Sequence, residues 1–363
     1  MKTERTKYVM KVYRYLAVII FSIPYFASAQ YTGNFWYFND SLGLKFNRDS
    51  FDIITDGVTS TREGTSVICK NDTLLLYSDG ITVWDSRHEV LNNGIGLLGN
   101  PSSIQSCLLL RQPESKSVFI FTTDASSTEK RADNNGICYS IANFDATTRQ
   151  WQLSTKNISL ISGSNEAITA KRASSFNGYW VIFPEYSTRN IVIYKLDKFG
   201  LSFFSKQPVL PSSNIGKSQI KISSAGSYIA LLTQGTGVDY KITLLDFNNN
   251  SGTILNTRTI NDFVAEGLEF SPNEKYLYVQ GYSTRFLTDK VKAGIYQIVL
   301  DNVSLDTKLT PRNSTLLHEA SNSSSMSITP NHKIFLTHTT SAGKKFSAIL
   351  EPDSFGDSCN FTP

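Results

Sequence analysis

The sequence lacks the short motifs that mark common catalytic and cofactor-binding folds. It contains no Gly-x-Ser-x-Gly nucleophile elbow, no phosphate-binding loop and no dinucleotide-binding glycine fingerprint. It has only four cysteines and four histidines, and no cysteine pair has the C-x-x-C spacing of a zinc site. We therefore predict no catalytic, cofactor-binding or metal-ligating residues, and no cofactor.

Long apolar and helical stretches are also missing. Apolar residues at helical spacing are nowhere sustained for more than about three turns. The apolar run 16–26 is shorter than the roughly 20 residues needed to span a membrane, follows a basic segment, and precedes the cleavage pattern Ala27-Ser28-Ala29. We predict a signal peptide at residues 1–29, export, and no membrane span in the mature chain.

The excess of positive charge lies in this leader. The chain has 35 Lys and Arg against 31 Asp and Glu, but residues 1–29 hold five of the former and one of the latter. Thirty of each remain in the mature chain, and no basic run survives there. Because nucleic-acid binding depends on clustered positive charge, we predict no nucleic-acid partner.

The mature chain reads as β-structure throughout. It is rich in Tyr and Phe, with 17 and 22 in the whole chain, and short apolar runs alternate with Gly, Asn, Asp and Pro. Asp79-Gly80 separates the runs 73–77 and 81–84, which predicts a hairpin with a type I′ turn. We predict an all-β fold, with no linker that would divide residues 30–363.

The strand–turn–strand unit repeats along the chain. Six units begin near residues 64, 104, 167, 219, 267 and 326, at spacings of 40 to 63 residues. Four-stranded propeller blades repeat every ~40 to 50 residues, so we predict one β-propeller of antiparallel blades over residues 30–363. Three further strands, 35–38, 44–46 and 51–54, either form a seventh blade or complete the last of six. We favour seven.

The aromatic run Phe35-Trp36-Tyr37-Phe38 is expected to close the ring. A propeller leaves an unpaired sheet edge where the chain begins and ends, and an N-terminal strand can remove it. We predict that this run packs or pairs beside strand 334–337 or 346–350 of the final unit.

Two sets of residues carry a family resemblance. The segment 271–279, Ser-Pro-Asn-Glu-Lys-Tyr-Leu-Tyr-Val, resembles the Ser-Pro-Asp-Gly-Lys-x-Leu-Tyr-Val signature of bacterial WD40-like and lactonase-like propellers. The ordered segments 34–38, 43–46, 55–57, 63–64, 75–84, 94–100 and 103–106 resemble the N-terminal propeller region of large surface proteins of gliding bacteria. That resemblance implies type IX secretion and cell-surface attachment. This chain stops before the PKD-type and sorting modules found in that family, so it is either a fragment of a longer surface protein or a free secreted propeller.

Cysteines are the first candidate for special chemistry. Cys69, Cys107, Cys138 and Cys359 lie in the mature chain. Export permits disulfides, and four cysteines allow three pairings, among which the sequence does not choose. Buried free thiols are the alternative.

Three further patterns are weaker. The histidines His88, His318, His332 and His338 are dispersed, which favours structural roles over zinc binding. Segment 246–252 resembles the start of a calcium loop but lacks the sixth-position Gly and the twelfth-position Glu, so we predict a hairpin turn. Segment 78–84 resembles the Asp-box of sialidases with the wrong spacing, again a turn device.

Together these observations predict an exported binding or structural module, adhesin-like, that engages a protein or glycan through loops on the ring faces. The alternative is a lactonase-like or glycan-cleaving propeller enzyme. Convergent Glu, Asp, Arg or His at the mouth of the central channel would favour the enzyme, whereas apolar or Tyr-rich loops would favour adhesion.

Overall fold

The computed structural model of the chain describes residues 30–363, apart from residues 39–40, 49, 62, 71, 127–133, 214–215, 235–240, 262, 284–292, 304–305, 308–313, 320–324 and 341–342. Within these ranges the regular structure consists of β-strands and two short 3-10 turns, Leu300–Asn302 and Gly356–Cys359. The predicted all-β class is confirmed. The described part contains no helix long and apolar enough to cross a membrane, and the predicted signal peptide, residues 1–29, lies outside it.

The strands form antiparallel meanders in which each strand mostly pairs with the next one along the chain. The N-terminal sheet contains β2 (Phe35–Tyr37), β3 (Gly43–Phe46) and β4 (Phe51–Ile54), after a short β1 (Gln30–Thr32). Two meanders follow: β5 (Ser66–Lys70), β6 (Thr73–Ser78), β7 (Thr82–Asp85) and β8 (Val90–Ile95), then β9 (Cys107–Arg111), β10 (Ser117–Thr123), β11 (Ile137–Asp145) and β12 (Gln150–Ile161).

Four more sheets complete the described chain. The first two contain β13 (Thr169–Arg172), β14 (Tyr179–Pro184), β15 (Ile191–Asp197) and β16 (Gly200–Gln207), then β17 (Lys217–Ile222), β18 (Tyr228–Gln234), β19 (Lys241–Asn248) and β20 (Thr253–Asn261). The last two contain β21 (Phe263–Phe270), β22 (Tyr276–Ser283), β23 (Gly294–Val299) and β25 (Ser314–Glu319), then β26 (Met326–Ile328), β27 (Ile334–Thr340), β28 (Gly343–Ile349) and β29 (Phe361–Thr362). The short β24 (Asp306–Thr307) pairs in parallel with β20.

The meanders are arranged as a propeller. Their first strands contact one another, β5 with β9, β13 with β17, β17 with β21 and β21 with β26, and so converge on a common axis. Each hydrophobic cluster joins two successive meanders, and one joins the last sheet to the N-terminal sheet, so the packing returns to its starting point. The first strand of each meander begins at one end of the ring, which we call the upper end. The turn between the first and second strands lies at the opposite end, which we call the lower end.

The prediction of seven four-stranded blades is wrong in its details. Among the described residues, hydrogen bonding defines six sheets, because β8 and β12 are joined by the pair Asn92 and Gln152 into one continuous sheet. The N-terminal sheet has three strands, since β1 does not pair with β2. Instead β1 pairs in parallel with β5, Gln30 beside Ser66 and Thr32 beside Ile68, along the edge that faces the axis.

Burial follows the position of each strand in its sheet. The second strands β10 and β14 are buried along almost their whole length, because both faces of the sheet are covered by neighbouring sheets. The outer strands β16 and β20 are largely exposed or half-buried. Near-continuous apolar runs therefore mark the second strands, and mixed polar runs mark the outer ones.

The turn between β6 and β7 differs from the predicted type I′ turn. Gly80 has a positive φ of 92°, but Asp79 does not. The Asp79 carboxylate instead accepts the backbone N–H groups of Ile81 and Thr82, at 2.9 and 2.8 Å. Because the Asp79 side chain accepts the N–H groups of the turn, the turn does not need a second residue in the left-handed conformation.

The lower end is bordered by turns that bond to one another. Glu274 has a φ of 60°, the left-handed conformation for which the resembled signature supplies Gly. Its carboxylate accepts the N–H groups of Ala225 and Gly226 in the neighbouring turn. Burial alone would raise the pKa of Glu274, but hydrogen bonds from Ser223, Ser227 and this neighbouring backbone hold it below its ordinary value.

The aromatic run at the N-terminus contacts the final sheet, as predicted. The Phe335 ring on β27 lies 6.0 Å from Trp36, 5.9 Å from Phe46 and 5.5 Å from Phe51 between ring centroids, and Phe346 lies on its other side at 5.2 Å. No strand of the N-terminal sheet pairs with the final sheet in the described ranges. The two ends of the propeller therefore meet through packed aromatic faces, which is the first of the two predicted arrangements, and not through a shared strand.

We expect Phe335→Ala to destabilise the fold by about 3 to 5 kcal/mol, because it leaves a cavity among these rings. Phe335 is 7% exposed, whereas Phe199, on the outer rim, is 87% exposed. Phe199→Ala is the matched control and should change stability by no more than about 0.5 kcal/mol. Urea unfolding of both variants measures the difference, and equal stabilities would show that the two ends are not held together here.

Candidate functional site

The axis of the ring is lined by polar side chains that bond to the inner edges of the first strands. The Gln105 amide, before β9, donates to the carbonyl oxygens of Ile168 and Ile220, both at 3.1 Å. Its oxygen accepts the N–H of Ile220 at 2.8 Å. One side chain thus bridges three neighbouring meanders and pairs backbone groups that would otherwise face the channel unsatisfied.

A buried ion pair continues this lining on the other side of β17. Lys221 Nζ lies 2.9 Å from Glu269 Oε2 and donates to the carbonyl oxygen of Met326 at 3.2 Å. The Glu269 carboxylate also accepts the N–H groups of Phe270 and Ile328, at 3.0 and 3.2 Å. The side chains of Lys221 and Glu269 are 9% and 5% exposed. Apart from the bond between the neighbours Glu269 and Phe270, these contacts tie one strand to another, so this pair has a structural role.

The upper end carries a second polar group, at the loop that precedes β13. Glu166 is fully buried, and its backbone has a left-handed φ of 66°. Its carboxylate accepts the N–H groups of Ile104 and Ser126, at 3.0 and 2.7 Å. Lys217 Nζ lies 3.6 Å from the same carboxylate. A non-glycine residue held in this conformation stores strain, which concentrates at functional sites.

Asn165, next to Glu166, differs from the side chains described so far and, like Gln280 elsewhere in the fold, has an unpaired buried amide. It is 1% exposed, and neither its amide nitrogen nor its amide oxygen has a hydrogen-bond partner in the described structure. Its backbone carbonyl accepts the N–H of Ser218, which fixes the loop against β17. Leaving a buried amide unpaired costs about 1 to 3 kcal/mol, so a polar partner that reaches it is favoured. Lys217 beside it keeps 29% of its side chain exposed, which leaves this corner accessible.

A further carboxylate stands at the same end, in the loop after β10. Asp124 is buried and accepts the amide nitrogen of Asn100 at 3.1 Å and its neighbour's N–H at 2.7 Å. Its second oxygen accepts the backbone and side-chain nitrogens of Asn135, at 2.9 and 3.1 Å. Asp124, like Glu166, is thus held by several N–H donors. This arrangement is suited to positioning loops and to binding, and less suited to accepting a proton from a substrate.

The residues considered in the sequence are not brought together. All four cysteines are buried free thiols, so none of the three possible disulfide pairings is formed. Cys107, Cys69, Cys138 and Cys359 all have raised thiol pKa values, chiefly because of burial. Thiols held protonated in this way are unreactive.

In the part of the chain that the structure describes, neither the histidines nor segment 246–252 forms a metal centre. No group of three or more His, Cys, Asp or Glu in the described ranges is placed to hold a metal ion. Asn248 caps the turn between β19 and β20 by accepting the N–H groups of Asn250 and Ser251, which confirms the predicted hairpin turn. The side chain of His338 lies outside the described residues.

Sequence reasoning missed the axis residues. Lys217, Gln219 and Lys221 alternate along β17, a pattern that resembles an ordinary half-exposed strand. One signal in the sequence could have identified them: the alternating polar residues fall on the first strand of a repeat unit, which is the strand beside the axis. Glu166 gave no signal, because its partners Ile104 and Ser126 lie 62 and 40 residues away.

Comparison with known proteins gives no family. No family model matches the chain. No curated protein matches it either.

Among solved structures, a "putative 6-phosphogluconolactonase" from Bacteroides uniformis is similar at 12% identity and a TM-score of 0.42, over 85% of this chain and 90% of that chain. Hsv2 from Kluyvelomyces marxianus is similar at 11% identity and a TM-score of 0.44, over 86% and 90%. An endo-arabinase from Bacteroides thetaiotaomicron is similar at 9% identity and a TM-score of 0.36, over 67% and 92%.

The axis ion pair supplies a test of its structural role. Lys221→Met leaves the Glu269 carboxylate buried without its cation, and Glu269→Leu leaves the Lys221 ammonium group buried without its anion. We expect each substitution to lower the free energy of unfolding by about 3 to 5 kcal/mol. The double variant should be less destabilised than the sum of the two, because neither charge remains. Denaturant unfolding of all four proteins measures this coupling, and simple additivity would contradict it.

Proposed function

We propose that the chain is an exported β-propeller that acts as a binding module outside the cell or at its surface. The observation that carries this proposal is the Asn165 amide, buried and unpartnered in the described structure beside carboxylates that already accept several N–H donors. An amide offers one acceptor and two donor hydrogens, the complement of a hydroxyl or amide group on a ligand. The ligand class we propose is therefore a polyhydroxylated glycan, reached through the loops of the upper end.

Export is supported by the order of basic segment, apolar run and Ala27-Ser28-Ala29. The resemblance to surface proteins of gliding bacteria supports the same compartment and an adhesin-like role. Propellers carry unrelated functions on one scaffold, so the role must come from the loops.

A second candidate is a lactonase-like or glycan-cleaving enzyme. It is favoured by the convergence of Glu166, Asp124 and Lys217 on one end of the ring. Glycan hydrolysis requires two carboxylates on opposite sides of the scissile bond, one of them able to donate a proton. The saturation of both carboxylates by N–H donors weighs against this candidate.

Export is tested by the mass of the mature protein. Secreted from a bacterial host, the chain should begin at Gln30, because the cleavage pattern ends at Ala29. Intact-mass spectrometry measures this, with Ala27→Phe and Ala29→Phe together as the processing-defective control. Recovery of the purified native protein with Met1 retained would overturn the proposal of a cleaved signal peptide.

Ligand binding is tested by Asn165→Leu, a change that keeps the branched shape of the side chain and removes the amide. We expect equal or greater stability, by up to about 1 to 3 kcal/mol, since a buried unpaired amide is removed. Binding to an array of neutral oligosaccharides should be lost. Asn177→Leu, on an exposed lower-end turn, is the matched control and should bind as the parent does.

A further experiment distinguishes binding from catalysis. The parent protein is incubated with the same oligosaccharides and with a sugar lactone, and the products are measured. Binding without release of reducing ends or of acid supports the module. Turnover that is lost in Glu166→Gln would establish the enzyme instead. Unchanged binding in Asn165→Leu, or no binding to any glycan, would overturn the proposed site.

A further inference from the structure

A hydrogen-bonded chain of side chains links the N-terminal sheet to β6, away from the upper-end corner. The hydroxyl of Tyr77 lies 2.8 Å from His88 Nδ1. His88 Nε2 lies 3.4 Å from Asp56 Oδ2, and the hydroxyl of Tyr37 donates to Asp56 Oδ1 at 3.2 Å. The carboxylate places the imidazole proton on Nε2, which leaves Nδ1 as the acceptor for the Tyr77 O–H.

The rings of this chain form a stack. The Tyr37 and Tyr77 centroids are 4.6 Å apart with planes at 26°, and the Tyr77 and Trp84 centroids are 5.3 Å apart with planes at 20°. Three easily oxidised aromatic side chains, those of Tyr37, Tyr77 and Trp84, are therefore in one contiguous group.

The group is buried except at its polar end. Tyr77 is fully buried and Trp84 is 7% exposed. The side chains of His88 and Asp56 are 21% and 55% exposed. Burial, more than any neighbouring charge, raises the pKa of Tyr77, so its hydroxyl remains protonated at neutral pH.

A buried phenol loses its proton when it loses an electron, so it is oxidised readily only where a base is in contact with its hydroxyl. His88 is such a base, and Asp56 stabilises the imidazolium ion that forms. The hydroxyl of Tyr278, which is equally buried, donates instead to the carbonyl oxygen of Pro352 at 2.8 Å, and a backbone carbonyl does not take up a proton.

We propose that Tyr77 is a proton-coupled one-electron oxidation site that takes up oxidising equivalents from oxygen-centred radicals in the surrounding medium. The electron of Tyr77 passes through the Trp84 ring to the radical, which with a solvent proton becomes the corresponding hydroxyl compound. The O–H bond of Tyr77 breaks, its proton moves to His88 Nδ1, and a neutral tyrosyl radical remains. An external thiol or other one-electron donor restores Tyr77 as the proton returns from His88.

The test uses photogenerated tris(bipyridine)ruthenium(III) as the one-electron oxidant, with the mature full-length protein. Each oxidation reduces one ruthenium(III) to ruthenium(II). In the parent we expect a long-lived tyrosyl radical by electron paramagnetic resonance of flash-frozen samples, formed with a solvent deuterium isotope effect. Tyr77→Phe should lose most of this signal, whereas Tyr278→Phe, the matched control, should keep it.

His88→Asn distinguishes a proton acceptor from a structural residue. His88 has a left-handed φ of 63°, which Asn also adopts, so the turn should persist. The radical yield should fall several-fold and recover when imidazole is added, which a merely structural role would not produce. Thermal unfolding of each variant checks that the fold is retained. A signal that survives in Tyr77→Phe, or a yield in His88→Asn equal to that of the parent, would overturn the proposal.

Discussion

Apart from β5, whose inner edge pairs with β1, the first strand of each described meander presents one edge to the axis, and no further strand pairs with the backbone groups along it. In water they would be hydrated, but in a narrow axis each unpaired group is costly. This chain satisfies them with side chains: Gln105 pairs with the backbone of Ile220, and Glu269 with that of Phe270 and Ile328. The charges used for this purpose are balanced locally, Glu269 by Lys221. The polar side chains along the axis are thus needed to satisfy the backbone of the propeller, and their presence alone does not indicate catalysis.

This constraint also decides how the upper end should be interpreted. Convergent carboxylates at a channel mouth ordinarily suggest catalysis, yet Glu166 and Asp124 accept backbone N–H groups and hold loops in place. The group that differs is Asn165, which contributes nothing to this internal bonding through its side chain. The external partner proposed above rests on this unpaired amide, since an unsatisfied buried polar group calls for an explanation.

Local features of the fold could be predicted from the sequence, and long-range ones could not. The hairpins at 73–84 and 267–280 follow from turn residues between apolar runs, since the two strands of each hairpin are within a few residues of each other. The type of the first turn was wrong because the Asp79 carboxylate bonds the turn backbone, a side-chain effect that dipeptide preferences do not contain. Gln105 and Ile220 are 115 residues apart, so their pairing depends on how many sheets surround the axis and in what order. The repeat spacing determines neither the number of sheets nor their order. The pairing of β1 with β5 shows how one short strand can change the number of strands in a sheet.

The position of β1 has a consequence for anything attached to it. Because β1 runs parallel to β5, Gln30 lies beside Ser66, at the end where the first strands begin. Polypeptide joined before Gln30 must therefore leave the ring through its upper opening, near the loops that hold Asn165. An affinity tag fused directly before Gln30 would begin at that opening, whereas an extension placed after Pro363, beyond the outer strand β29, would begin away from it. Recombinant forms labelled at opposite termini are thus not interchangeable reagents.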